Sequence, residues 1–237
     1  SPMNDPSSVE RTRPDRGDGH VRVTDVGTPS MLFFPAPGVG RPAPAFVLCP
    51  GGGYNHMVIT KMTPIAKWLN ERGISAFVLK YRTPKKRDMA FNDLQRAIRL
   101  VRYHAASWNL DPENIGVFGA SAGGHLAVRV ANAGESEGYP RGDAIDETSG
   151  RIDFLALLYP AYLNNGSGLR DEITLRSDHP ATFIASAIDD LRHFQSGAVY
   201  AAALQQVKVP VEAHFYEEGG HGFGLSGNQP LLSSWPD

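Results

Sequence analysis

Ser121 stands at the centre of a Gly-x-Ser-x-Gly pattern at residues 119–123, so that small residues flank a hydroxyl on both sides. A serine in this pattern can occupy a tight turn between a strand and a helix, near the positive end of the helix dipole. An apolar run at residues 115–119 precedes the pattern, and a helical run begins at Ser121. A glycine-rich turn capped by a serine is the alternative. The context favours nucleophilic catalysis by Ser121.

A second glycine-rich loop, Pro-Gly-Gly-Gly-Tyr at residues 50–54, follows an apolar run at residues 45–49. Consecutive glycines let the backbone approach a ligand and present its N–H groups, as an oxyanion hole requires. A flexible turn is the alternative for this loop taken alone. Together with a later Gly-x-Ser-x-Gly pattern, the loop predicts one half of an oxyanion hole.

A serine nucleophile needs a base that takes its proton and an acid that orients the base. His221 lies in a glycine-rich loop, residues 219–224, directly after a late strand predicted at residues 211–216. Asp189 and Asp190 follow another predicted strand, residues 182–187, and from their position either could be the acid. The chain order Ser, Asp, His is that of α/β-hydrolases.

The other histidines predict no metal site. His125 follows Ser121 by four residues on a predicted helix and is interpreted as a packed structural residue. The remaining ones form no spaced cluster with carboxylates; they are His20, His56, His104, His179, His193 and His214. We therefore expect neither a metal nor another cofactor.

Alternating strand and helix patterns must position these residues. Strands are predicted at residues 21–26, 31–34, 45–49, 75–81, 115–119, 153–159, 182–187 and 211–216, and helices at 59–72, 89–108, from 121, and at 193–206. The second helix is the clearest, because apolar residues recur in it at steps of three and four. The alternation predicts an α/β fold with a mostly parallel central sheet, helices on both faces and chemistry in the loops after the strands.

The chain has 237 residues, enough for one large domain, which we place at residues 21–237 after a polar, flexible lead-in at 1–20. Its 23 basic and 25 acidic side chains give a net charge of −2, so no nucleic-acid partner is expected. The longest apolar stretch, residues 154–159, is too short to span a membrane. Cys49 is the single cysteine, which excludes an internal disulfide. Oligomeric state stays open.

Five segments together resemble one family of enzymes. They are residues 50–54, 111–116, 119–126, 153–160 and 219–224. In combination they are similar to the α/β-hydrolase serine esterases grouped with acetyl xylan esterases and feruloyl esterases, relatives of the hormone-sensitive-lipase-like branch. The similarity spans about residues 30 to 225.

The resemblance implies ester hydrolysis through an acyl-enzyme, with a role for each candidate residue. Ser121 would be the nucleophile, His221 the general base and Asp190 the orienting acid, which leaves Asp189 to shape the loop or cap a helix. The oxyanion hole would combine the backbone N–H groups of Ala122 and of Gly52 or Gly53.

The sequence departs from the family pattern at two places. Pro50 stands where the lipase-like branch usually has a histidine, which removes a side-chain hydrogen bond but no oxyanion donor. The chain stops at Asp237, where relatives resemble one another in carrying a closing helix, so a terminus that is truncated or lost to disorder is expected.

The substrate is predicted from the long loops at residues 133–151 and 160–180, which are rich in Gly, Tyr, Asn and Asp. Such loops suit sugar hydroxyls better than lipid chains, which favours acetylated or feruloylated plant polysaccharide and, with it, a secreted or periplasmic protein. Tyr54, beside the glycines, is predicted to wall the acyl side and favour short acyl groups.

Three alternatives remain. The first is a general short-chain carboxylesterase or a lipase-like esterase. A prolyl-oligopeptidase-type peptidase would need a large gating domain, for which the chain has no room. A noncatalytic hydrolase-fold receptor would typically lack the base, so His221 argues against it.

Overall fold

The computed structural model describes residues 8–38, 40–134 and 138–225. Its strands, in chain order, are β1 (Arg11–Thr12), β2 (Arg22–Thr24), β3 (Ser30–Phe34), β4 (Ala43–Cys49), β5 (Met57–Val58), β6 (Ser75–Lys80), β7 (Leu110–Ala120), β8 (Phe154–Leu158), β9 (Ala181–Ala187) and β10 (Val211–Tyr216). Its α-helices are α1 (Met62–Glu71), α2 (Arg87–Tyr103), α3 (Ala122–Ala133) and α4 (Phe194–Gln206). A short 3₁₀ turn, Ile59–Lys61, leads into α1.

Within the described residues, seven strands form the central sheet in the order β10-β9-β8-β7-β4-β6-β3. All neighbours are parallel except β3 and β6, which pair antiparallel. The predicted α/β-hydrolase architecture with a mostly parallel sheet is therefore confirmed.

The helices cover both faces of the sheet because its strands are apolar on both faces. Adjacent residues of one strand, such as Val47 and Leu48 of β4, belong to different core clusters. One cluster packs under α1 through Ile65 and Leu69, and the other packs under α2, α3 and α4. Successive side chains of a strand point to opposite faces, so near-continuous apolar runs require a covered sheet.

The parallel register brings the carboxyl ends of five neighbouring strands, β4, β7, β8, β9 and β10, to one edge of the sheet. Cys49 of β4 lies opposite Gly119 of β7, and Ala120 lies opposite Leu158 of β8. The last residues of β9 and β10 are paired in the same way. The loops that follow β4, β7, β9 and β10 carry the candidate catalytic residues, so the register brings those loops together.

Helix α2 ends earlier than the sequence predicted. Its apolar stripe includes Ala105 and Trp108, but the helix stops at Tyr103. Ala105 is still buried, and its carbonyl accepts the backbone N–H of Leu110. The chain thus turns back at residues 104–109 to enter β7, while the apolar residues of the stripe stay against the core.

Residues 8–20 differ from the flexible lead-in that we expected. Strand β1 pairs with β2, which pairs with β5 in a small sheet separate from the central one. Arg11 forms an ion pair with Asp25, and Glu10 forms one with Lys80. These ion pairs hold residues 8–20 against the domain, although the composition of the segment predicts neither a strand nor a helix. Residues 1–7, and the terminus at 226–237 where we expected truncation, lie outside the described residues.

The helices of the described chain are all too short or too polar to cross a lipid bilayer.

Candidate active site

Ser121 occupies the strained turn that its pattern predicted. It links the end of β7 to the start of α3 with φ 54° and ψ −119°. A side chain at Gly119 would place its Cβ 2.5 Å from the carbonyl oxygen of Gly123, and one at Gly123 would lie 2.0 Å from that of Cys49. Only glycine fits at these two positions, so the small residues permit the turn that holds the hydroxyl above the sheet.

A line of hydrogen bonds joins Ser121, His221 and Asp190. Ser121 Oγ lies 2.7 Å from His221 Nε2, and His221 Nδ1 lies 2.6 Å from Asp190 Oδ2. Because a carboxylate can only accept, Nδ1 carries the proton and Nε2 is left to accept from the serine hydroxyl. The arrangement has the geometry of a nucleophile, a base and an orienting acid.

The two neighbouring aspartates have different partners. The Asp190 side chain is only 4% exposed, and its second oxygen accepts the backbone N–H of His193 at 3.2 Å. Asp189 instead accepts the backbone N–H groups of Gly219 and Gly220, at 3.1 and 2.8 Å. The structure therefore brings Asp190 to His221 and leaves Asp189 to shape the loop that carries the histidine, which are the two places that the resemblance implied.

The glycine loop after β4 lies against the turn that carries Ser121. A Cβ on Gly51 would be 3.0 Å from the Cβ of Ser121, and one on Gly52, whose φ is 142°, would be 2.0 Å from the carbonyl oxygen of His56. Among the described residues, none accepts a hydrogen bond from the backbone N–H of Gly52, Gly53 or Ala122. These amides are available for an oxyanion.

Tyr54 does not line the pocket beside Ser121, so the predicted substrate-binding role is wrong. Its side chain is buried beneath the glycine loop, 1% exposed. Its hydroxyl lies 2.8 Å from His125 Nδ1, while His125 Nε2 lies 3.1 Å from Glu172 Oε1. The carboxylate of Glu172 accepts from Nε2–H, so Nδ1 of the neutral ring accepts from the tyrosine hydroxyl.

His125 is the packed structural residue that the sequence predicted. It is fully buried on α3, and burial lowers its pKa to about 4, which keeps the ring neutral at pH 7. With Tyr54 it ties α3 to the glycine loop, which fixes the distance between the two halves of the candidate oxyanion hole.

Tyr54→Phe is expected to lower the melting temperature by a few degrees, because it leaves Nδ1 of His125 buried without a partner, at a cost of about 1–3 kcal/mol. KM for an ester is expected to stay unchanged, because the ring does not reach the pocket. Thermal denaturation and steady-state kinetics measure the two effects. Tyr103→Phe, at an exposed tyrosine of α2, is the control. A raised KM with unchanged stability would restore a binding role to Tyr54.

Ser121 and His221 line a pocket of about 520 Å³. Besides the glycine loop, Ser121 and His221, its walls include charged and aromatic side chains: Arg16, Asp18, His20, Arg22, His56, Lys61, Tyr159, Tyr162, Arg192 and His193. The sequence predicted none of these side chains as part of the site. Four of these side chains belong to the segment around β2. The sequence pattern of that segment is short and irregular, so it does not indicate that the segment lies at the site.

Two side chains support the loop that carries His221. The ring of His193 lies 4.6 Å from that of His221, and its pKa is lowered by burial and then by the neighbouring imidazole. Lys61 Nζ donates to the carbonyl oxygen of Gly222, and burial lowers the pKa of this amine. His221 is thus held on both sides.

No group of three or more potential metal ligands of the His, Cys, Asp and Glu types comes together in the part of the chain that the structure describes.

Comparison with known proteins identifies relatives of the whole α/β unit. The BD-FAE family matches residues 32–153. The chain is 30% identical over 228 residues to an acetylxylan esterase of Xylanibacter ruminicola, a match that covers 86% of this chain and 46% of the relative. It is 25% identical over 219 residues to endo-1,4-beta-xylanase B of Butyrivibrio fibrisolvens, covering 80% of this chain and 34% of that protein. The chain thus spans less than half the length of these two relatives.

Solved structures share the fold. An acetyl ester-xyloside bifunctional hydrolase of Caldicellulosiruptor lactoaceticus superposes with a TM-score of 0.79 at 31% identity, over 94% of this chain and 87% of that one. Esterase 2 of Thermogutta terrifontis superposes with a TM-score of 0.72 at 21% identity, over 98% and 90% of the two chains. The second likeness concerns the fold alone.

Proposed function

The chain belongs to the BD-FAE family and has the α/β-hydrolase fold, and we propose from this that it is a serine carboxylesterase that removes short acyl groups from carbohydrates. The observation that carries the proposal is the line of hydrogen bonds from Ser121 through His221 to Asp190 at the mouth of a pocket. Neither bond requires movement before the reaction can start.

Acylation begins when Ser121 Oγ attacks the ester carbonyl carbon and His221 Nε2 takes the hydroxyl proton. Asp190 stabilises the imidazolium through Nδ1–H, and the N–H groups of Ala122 and of Gly52 or Gly53 stabilise the oxyanion. The bond between the carbonyl carbon and the alcohol oxygen then breaks, and His221 returns its proton to the leaving alcohol. The acyl group remains on Ser121.

Deacylation repeats the sequence with water in place of the alcohol. His221 takes a proton from the water, the resulting hydroxide attacks the acyl carbon, and Ser121 regains the proton as the free acid leaves. No redox step and no cofactor enters this scheme.

Carbohydrate as the alcohol part is supported by the pocket and by the relatives. A pocket of about 520 Å³ is far larger than an acetyl group, and its polar and charged lining suits hydroxyl groups. The Xylanibacter relative is an acetylxylan esterase, and the Caldicellulosiruptor structure is that of an acetyl ester-xyloside hydrolase. We propose acetylated xylan or its oligosaccharides as the substrate class, with feruloylated carbohydrate as a further arm of the test.

Acetate release from acetylated xylan is expected, together with a fall in kcat/KM of about tenfold or more from 4-nitrophenyl acetate to the octanoate, because the polar lining offers a long acyl chain little apolar contact. A feruloyl ester completes the series. The measurement is product release under initial-rate conditions, with uncatalysed hydrolysis subtracted. A preference for octanoate would indicate a lipase-like esterase, and turnover of 4-nitrophenyl acetate without release from carbohydrate would indicate a general carboxylesterase.

A further inference from the structure

The pocket carries more positive than negative charge. Four cationic side chains, Arg16, Arg22, Lys61 and Arg192, line it against the single carboxylate of Asp18. This local excess contrasts with the chain as a whole, whose net charge is −2. The net charge of the pocket lining is therefore opposite in sign to that of the whole chain.

Only one of the four cations is neutralised by a pocket carboxylate. Arg22 forms an ion pair with Asp18 and donates to the carbonyl oxygen of His20. Within the described residues, no carboxylate forms an ion pair with Arg16, Lys61 or Arg192, and the partner of Lys61 is a backbone carbonyl. Both arginines are exposed. Three cationic groups thus face the pocket without an ion-pair partner among the described residues.

Among the described residues, the neighbouring carboxylates form no ion pair with Arg16, Lys61 or Arg192. Asp15 accepts the backbone N–H of Gly17, Asp189 holds the loop before His221, and Asp190 holds His221 itself. The positive field reaches the pocket wall: the pKa of His56 is lowered to about 4, first by burial and then by Arg13, Arg16 and Arg22. A cleft lined by one sign of charge attracts ligands of the other sign.

Two of the cations, Arg192 and Lys61, lie near His221 and therefore on the side of the leaving alcohol. His221 delivers its proton to that alcohol, so groups around His221 face the alcohol part of the ester. Arg192 precedes His193, whose ring lies 4.6 Å from that of His221, and Lys61 binds the carbonyl of Gly222, the next residue after the base. A negative charge on the alcohol part would meet them directly.

We propose that the preferred substrate is an acylated saccharide that carries a carboxylate, as a uronate does, with Arg16 and Arg192 as specificity-determining residues. This inference rests on the proposed carbohydrate esterase function and adds the charge of its substrate. A guanidinium can bind a carboxylate through two parallel hydrogen bonds, which makes arginine well suited to this task.

The test compares acetylated xylo-oligosaccharides that carry a glucuronate side group with the same oligosaccharides after the side group has been removed. Wild-type protein is expected to give a kcat/KM several-fold higher on the acidic substrate in low salt. The advantage should shrink above about 0.1 M salt, where the Debye length falls below about 10 Å.

Arg16→Gln and Arg192→Gln are expected to lower the ratio of acidic to neutral kcat/KM by about two- to fivefold each, the range for an exposed charge pair. Arg192→Glu should reverse the preference. Arg41→Gln is the matched control, because Arg41 is exposed in the loop before β4, at the opposite edge of the sheet from the pocket, and should leave both rates unchanged. Melting temperatures establish that the variants are folded.

Each outcome is decisive. A wild-type ratio of one or less, or a ratio that Arg16→Gln and Arg192→Gln leave unchanged, overturns the inference while acetate release from the neutral substrate still supports the carbohydrate esterase. If neither oligosaccharide releases acetate, the proposed function and the inference both fail. A ratio that falls only in the pocket variants and responds to salt supports both.

Discussion

Ser121→Ala is expected to lower kcat for 4-nitrophenyl acetate by about 10⁴-fold or more, which corresponds to about 5.4 kcal/mol of transition-state stabilisation. The alanine has no nucleophilic atom, so only the oxyanion donors and binding would accelerate attack by water. The fold should persist, because the hydroxyl contacts His221 and makes no other hydrogen bond among the described side chains.

Initial rates measure the loss of kcat, and a thermal melt measures whether the fold persists. Ser107→Ala is the matched control: it removes an exposed serine hydroxyl that bonds only the carbonyl of His104 at the end of α2, and should leave the rate unchanged. If Ser121→Ala keeps a tenth of the wild-type kcat, a loss of only about 1.4 kcal/mol, then Ser121 is not the nucleophile.

Asp190→Asn is expected to lower kcat by nearly 10⁴-fold and to change the melting temperature little. Asparagine keeps the shape and can still accept the N–H of His193. It can also turn its amide towards His221 Nδ1, which places the proton on Nε2 and leaves no lone pair there for the Ser121 hydroxyl. In the worked serine-protease case, the wrong tautomer produces a loss of this size.

Asp189→Asn is the matched control one residue away. It should keep most of the activity and lose about 1 kcal/mol of stability, because one amide oxygen replaces the two that accept from Gly219 and Gly220. Steady-state kinetics on both variants, each beside a melting curve, give the ranking. The opposite ranking would assign the acid role to Asp189. Activities near wild type in both variants would show that another carboxylate is the acid.

The sequence alone determined the elements whose signals are local. The turn at Ser121 follows from Gly119 and Gly123, where any larger residue would clash. The strands follow from continuous apolar runs, which must be covered on both faces of the sheet. The alternation of strands and helices predicts parallel pairing, which brings the loops with Ser121 and His221 to one edge. These inferences need only neighbours along the chain.

Tertiary structure alone decided the features that depend on how distant segments meet. From their positions in the sequence, Asp189 and Asp190 were equivalent, and the resemblance selected Asp190. The two side chains point apart, and only the packing of their loop against the loop of His221 decides that Asp190 contacts His221 and Asp189 contacts Gly220. Tyr54 turns inward because a histidine four positions beyond Ser121 offers it a hydrogen bond, which its place beside the glycines does not reveal. Arg16 lines the pocket because β1 and β2 pair with each other and β2 pairs with β5. Short polar segments carry no periodic signal, and their places are set by charge pairs and backbone hydrogen bonds that form only once the sheet exists.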